Sequence, residues 1–256
     1  MHILRSVAES VSTIIMTAVL TAILLVLIAS SISSMEYSSR RLEFEQLRTT
    51  YISIAQSIPL IMGGGDFSSR IPVYRTSIGY RTLGNINLII GTENIPLQCT
   101  VLESRFSGLD VAEEIYYGAL RGDKAIVFDQ RLIPMVYTSR EGGTIFLRLD
   151  TCRIYSVVEV RSNISTGSVF YLLKLSFVNI TPVIEQGKGG GEAFIYAKIE
   201  GEKITYIRDN VTGQNIKLIY MDGSARGIND IYPEYPGGPI RVQVEIYNLK
   251  LYVKLS

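Results

Sequence analysis

The chain has 256 residues, with 25 Lys and Arg against 24 Asp and Glu and a formal net charge of +1. Such a balance leaves no field to draw in nucleic acid, so a nucleic-acid partner is excluded. One His (His2), two Cys and no Trp leave too few ligands for a four-ligand zinc site and no histidine to activate a serine deep in a fold. No enzymatic activity, catalytic residue, metal or cofactor is expected.

In chain order, the first element is a helix of membrane length. Ser10–Met35 contains 26 residues without a charged side chain. That exceeds both the roughly 20 apolar residues that cross a bilayer core and the roughly 7–15 of a cleaved signal. Preceded by the short tail Met1–Glu9, it reads as a signal anchor. Thr13, Thr17 and Thr21 form one i, i+4 row in the span and Ala18 and Ala22 another. Rows of small residues let helices approach closely in lipid. The competing reading of the threonines is a hydroxyl bonded back to the preceding turn.

Helical periodicity does not stop at Met35. Tyr37, Arg41, Phe44, Leu47, Tyr51, Ile54 and Ile58 recur at steps of three and four, and all but Arg41 form an apolar stripe. An amphipathic helix is stabilised by burying such a stripe. The stripe therefore predicts docking, either on the chain's own domain or on neighbouring copies. Pro59 and Gly63, Gly64 and Gly65 end the pattern. The expected organisation is a long helix over 7–62, with a membrane span at 10–35 and an amphipathic continuation at 36–58, followed by a β-rich domain over 66–256.

The domain offers β-branched or alternating runs at Ile86–Ile90, Gln98–Glu103, Lys124–Phe128, Leu132–Tyr137, Thr144–Leu149, Arg153–Arg161, Ser168–Asn179, Ala193–Glu200, Lys203–Arg208, Ile216–Met221 and Arg241–Leu255. Gly201-Glu202 suits a two-residue hairpin, and Glu141-Gly142-Gly143 a slightly longer one. In the last run Val242, Val244 and Ile246 share one parity while Leu249, Leu251, Val253 and Leu255 share the other. A bulge near Tyr247-Asn248 would restore the buried face. Only Leu109–Leu120 has helical spacing, enough for one short helix. Many short strands without βαβ alternation predict an α+β fold, in which the N-terminal helix precedes an antiparallel β-sandwich-like domain.

Three sequons at Asn163, Asn179 and Asn210 are candidate N-glycosylation sites. The charges flanking the span lean the other way, but the sequons and the short tail before the span lead to the expectation that the β domain lies outside the cell. Cys99 and Cys152 admit one disulfide, with two buried thiols as the alternative. The Gly-rich run at 186–191 lacks phosphate-loop spacing and reads as a flexible hairpin loop, while 222–230 puts Arg226 at a calcium-ligand position and reads as a turn. Glu113-Glu114 reads as a solvated face.

Arg5-Ser6 before VAESVSTIIMTAVLTAILLVLI, followed by the amphipathic continuation and a β domain, resembles the archaeal type IV pilin-like proteins: pilins, archaellins and the archaellum's accessory proteins. The likeness covers about the first 60 residues. It implies cleavage by a prepilin peptidase between Ser6 and Val7, after Arg5, and assembly through the helix with Glu9 near the mature N-terminus. The partners implied are further copies of the chain or related pilin-like subunits, together with the membrane. The resemblance thus implies a structural subunit of an extracellular filament used for adhesion or contact. The alternative is an uncleaved, membrane-anchored accessory or stator-like surface protein. Ser6 stands where Gly or Ala is usual, and Glu9 would be third rather than fifth in a mature chain, departures that favour that alternative.

Overall fold

The structure is a computed structural model and describes residues 2–73, 76–118, 126–128, 132–162, 169–186, 192–199, 203–235 and 237–255, with side chains from Ile14 onward except at 72, 186, 192, 197–199 and 255. The chain divides into two compact units, Met1–Leu42 and Glu43–Ser256. Helix α1 (His2–Met62) forms the described part of the first unit and continues into the second. Pro59 lies inside α1 rather than ending it. The helix stops at Met62, where the Gly63 and Gly65 amides both donate to the Leu60 carbonyl at 3.0 and 3.1 Å and the Gly64 amide to Ile61 at 3.0 Å. These bonds satisfy carbonyls that a helix end leaves orphaned.

The strands are β1 (Asp66–Pro72), β2 (Ser77–Ile90), β3 (Glu93–Ser107), β4 (Ile115–Tyr117), β5 (Ile126–Val127), β6 (Met135–Glu141), β7 (Thr144–Asp150), β8 (Ile154–Ser162), β9 (Val169–Gln186), β10 (Glu192–Ile199), β11 (Ile204–Thr212), β12 (Ile216–Ile219), β13 (Ala225–Gly227) and β14 (Pro239–Leu255), with a one-turn helix α2 (Ile228–Ile231) before β14. Among the described residues they build two seven-stranded sheets. One has the order β1-β10-β14-β9-β8-β5, with β11 also on β14, and the other the order β13-β12-β2-β3-β7-β6-β4. A long N-terminal apolar helix followed by a two-sheet domain is an α+β fold.

Four expectations need correction. The sheets are not wholly antiparallel, because β9 pairs parallel with β14 and β5 with β8. The chain leaves β9, builds four further strands and returns alongside it, and a parallel pair needs such a long crossover. Leu109–Leu120 is not a helix over its described residues. Its backbone is bound to Thr138, whose hydroxyl donates to the Ala112 carbonyl at 2.8 Å and accepts from the Glu114 amide at 2.9 Å, and β4 follows. The β6–β7 turn is Gly142-Gly143 alone, both at positive φ, because Glu141 pairs with Thr144; that is the two-residue geometry glycines favour. Gly201-Glu202 and the loop at 187–191 lie outside the described residues.

The fourth correction concerns β14. No bulge interrupts its ladder with β9, which runs unshifted from Arg241↔Leu172 to Leu255↔Gln186. Both strands change buried parity together: Leu173, Leu175 and Phe177 sit in one core with Val242, Val244 and Ile246, whereas Val178 and Ile180 sit in a second with Leu249, Leu251 and Val253. Alternate residues point to opposite faces, so the sheet buries one face over half its length and the other face over the rest. Strand β3 does the same, with Leu97, Cys99 and Val101 in one core and Leu102 and Phe106 in the other. Its neighbour β2 keeps pace by a bulge between Thr82 and Gly84. Gly84, at φ 144°, supplies a backbone conformation there that other residues rarely adopt.

Candidate functional site: the N-terminal helix

Over Ile14–Ser34 the helix exposes apolar side chains around its whole circumference, from Ile14 at 68% through Leu20, Leu24 and Leu27 to Ile32 at 54%. An 18-residue window in Ile14–Met62 has a mean hydropathy of 2.5 and no buried residue. It is long and apolar enough to cross a membrane. A helix apolar on every side is a poor solute in water and a good one in lipid. Thr17, Ala18, Thr21 and Ala22 are exposed in this stretch. The Thr21 hydroxyl donates to the Thr17 carbonyl at 2.8 Å, so the hydroxyl of this row turns back on its own helix. Arg5, Ser6, Val7, Glu9 and Thr13 are helical, and their side chains lie outside the described residues.

The stripe divides in two. Tyr37 and Arg41 are exposed, while Phe44, Leu47, Tyr51, Ile54 and Ile58 are buried in the chain's own β domain and Ile61 extends the row. Of the two docking partners that the stripe permits, the chain's own domain is the one it uses. Those five side chains are therefore spent within the fold and present no face to a neighbouring copy. The Phe44 ring stands edge-on to Phe106 at 5.2 Å and to Tyr116 at 6.3 Å, and the Arg48 guanidinium lies 5.0 Å from the Tyr116 ring centre. The Tyr51 hydroxyl shares a 2.6 Å hydrogen bond with Ser104, both buried. Burial, only partly offset by Ser104, raises the Tyr51 phenol far above its usual range. The Thr76 amide donates to the buried Glu43 carboxylate at 3.2 Å. Sequence periodicity found the apolar members of this face; the partners of Glu43 and Tyr51, remote in sequence, carried no local signal.

Elsewhere the expected site residues serve the scaffold. Glu113 accepts from the Arg140 amide at 2.6 Å. At 222–230, read as a turn, only the first residues form one, with the Ser224 amide donating to Asp222 at 2.8 Å; β13 and α2 follow, and the Gly227 amide donates to Asp230 at 3.0 Å. No group of three or more His, Cys, Asp or Glu able to hold a metal occurs among the described residues. Asn163 lies outside the described residues. Asn179 is half-buried on β9 and its amide donates to the Asn248 side chain at 3.1 Å. Asn210 is exposed at φ 56°, at the register shift between Arg208 and Val211.

Cys99 and Cys152 are both buried, and no bond joins their sulfurs in this structure. They adjoin: their hydrogen bond, then burial and the nearby Asp150 carboxylate, push the Cys152 thiol far above its ordinary range. Asp150 accepts from the Cys152 amide at 2.7 Å, and burial raises its own carboxyl.

Comparison with protein-family models, with curated proteins and with solved structures finds no match to this chain.

Proposed function

We propose that the chain is a membrane-anchored structural subunit of a type IV pilin-like surface filament. In this reading α1 holds it in the membrane and a β-sandwich-like domain outside the cell is available for adhesion or contact. The observation that carries the reading is the contrast along one helix. Its apolar residues from Ile14 to Ile32 are uncovered on every side, whereas the stripe Phe44, Leu47, Tyr51, Ile54, Ile58 and Ile61 is consumed by the β domain. A helix built this way keeps its lipid-soluble half for a membrane or for like helices and uses its other half to carry a folded domain. Contacts between copies then fall to the exposed stretch, where Thr17, Ala18, Thr21 and Ala22 permit close approach. The exposed Asn210 is the favoured position for a glycan.

The test is the N-terminal residue of protein recovered from the native cell surface, read by mass spectrometry. A chain beginning at Val7 in material sheared from the surface is the expected result, since a prepilin peptidase would remove Met1–Ser6. An intact Met1 found only in the membrane fraction overturns the filament subunit and leaves the anchored accessory protein.

A further inference from the structure

Cys99 and Cys152 are far apart in sequence but meet at the point where the strands change faces. In the β3–β7 ladder Leu102 pairs with Leu149. Cys152 lies two residues past the end of β7, at the centre of a turn in which the Arg153 amide donates to the Thr151 carbonyl at 2.7 Å, and its thiol is hydrogen-bonded to that of Cys99. Both side chains lie in the same core, at 0% and 7% exposure. Next to Cys99, Val101 and Leu102 divide between the two cores; next to Cys152, Ile154 and Tyr155 do likewise. The pair thus sits at the seam of both sheets, since β3 belongs to one and β8 to the other.

We propose that Cys99 and Cys152 close an intrachain disulfide that pins β3 to the β7–β8 connection across this seam. Two buried thiols in hydrogen-bond contact need only a small side-chain movement to bring their sulfurs to bonding distance. The oxidant is a disulfide of a small thiol or of a thiol oxidoreductase. One cysteine thiolate attacks a sulfur of that disulfide and expels one thiolate. The second cysteine thiolate attacks the protein sulfur of the mixed disulfide and expels the other. The protein thus loses two protons and two electrons, and the oxidant leaves as two thiols. Burial beside Asp150 holds back the thiolate form, so the bond closes during folding, before the core shuts, and resists reductant afterwards. The proposal rests on the surface reading for its oxidising compartment alone.

The full chain in detergent, refolded in a mixture of oxidised and reduced glutathione, is denatured and alkylated with iodoacetamide without further reductant. Protein carrying no alkyl group, and two after reduction in denaturant, is expected; the same pattern is expected for protein from the native surface denatured directly in iodoacetamide. Oxidised protein should also melt about 5–15 °C above its reduced form, and Cys99→Ala should abolish that difference. Two alkyl groups on the refolded chain before any reduction overturn the disulfide itself, whatever its N-terminus. A bond that closes on refolding while both thiols stay free on the native surface overturns only the oxidising compartment, and with it the surface reading.

Discussion

Glu245 is 1% exposed and charged, a combination that survives only where every lone pair is answered. Lys203 and Lys174 lie 2.6 and 3.1 Å from its two oxygens, the Tyr247 hydroxyl donates at 2.6 Å and the Gln243 amide at 2.8 Å. Burial alone would raise its pKa, but the hydrogen bonds from Lys203, Tyr247 and Lys174 outweigh it and hold the carboxyl at about 2. A carboxyl depressed in the folded state stabilises the fold above its unfolded pKa of about 4.3, and that contribution is lost as pH falls from there toward 2. Glu245→Gln should therefore cost about 1–3 kcal/mol at pH 7 and almost nothing near pH 2, measured as urea denaturation against pH. An equal cost at both pH values would show that shape, not charge, is what Gln fails to reproduce. None of this was visible in the sequence, where Glu245 is one polar position in an alternating strand and its lysines come from β9 and from just before β11.

At the scale of the element, α1 is one helix with two solvents. Leu42 is 61% exposed and Leu47 is fully buried, five residues apart on the same helix. Leu47→Ala should destabilise the β domain by about 2–5 kcal/mol, while Leu42→Ala should fall within roughly 0.5 kcal/mol of the parent, by thermal or denaturant melts in detergent. Similar losses at both would mean that Leu42 is covered after all. The five buried members of the stripe were legible because a period of 3.6 is a property of the helix itself. That their cover is the chain's own domain was not legible, because periodicity says that a face must be buried and not by what. Strands show the same limit. The parity change after Ile246 was plain in the sequence, but a bulge and a change of buried face leave the same local trace, and only the unshifted β9–β14 ladder separates them. The turn at Gly142-Gly143 was nearly right as read, since two glycines report backbone demands directly.

For the whole molecule, the core residues named in both clusters lie at or beyond Phe44. A chain lacking residues 1–35 should thus fold without detergent and melt within about 3 °C of the full protein, by circular dichroism. Aggregation of that chain would mean that the removed segment supports the domain. Hydropathy alone announced the apolar span, because the transfer of a side chain to lipid depends on its own chemistry and hardly on its neighbours. Turn glycines and the abundance of β-branched runs likewise made the α+β class legible. The order of the strands, the parallel return of β14 beside β9, the two cores on opposite faces, the meeting of Cys99 with Cys152 and the burial of Glu245 among lysines were decided by the tertiary structure. Each depends on contacts between residues tens of positions apart, and the free energy of such a contact exists only once both partners are held in place.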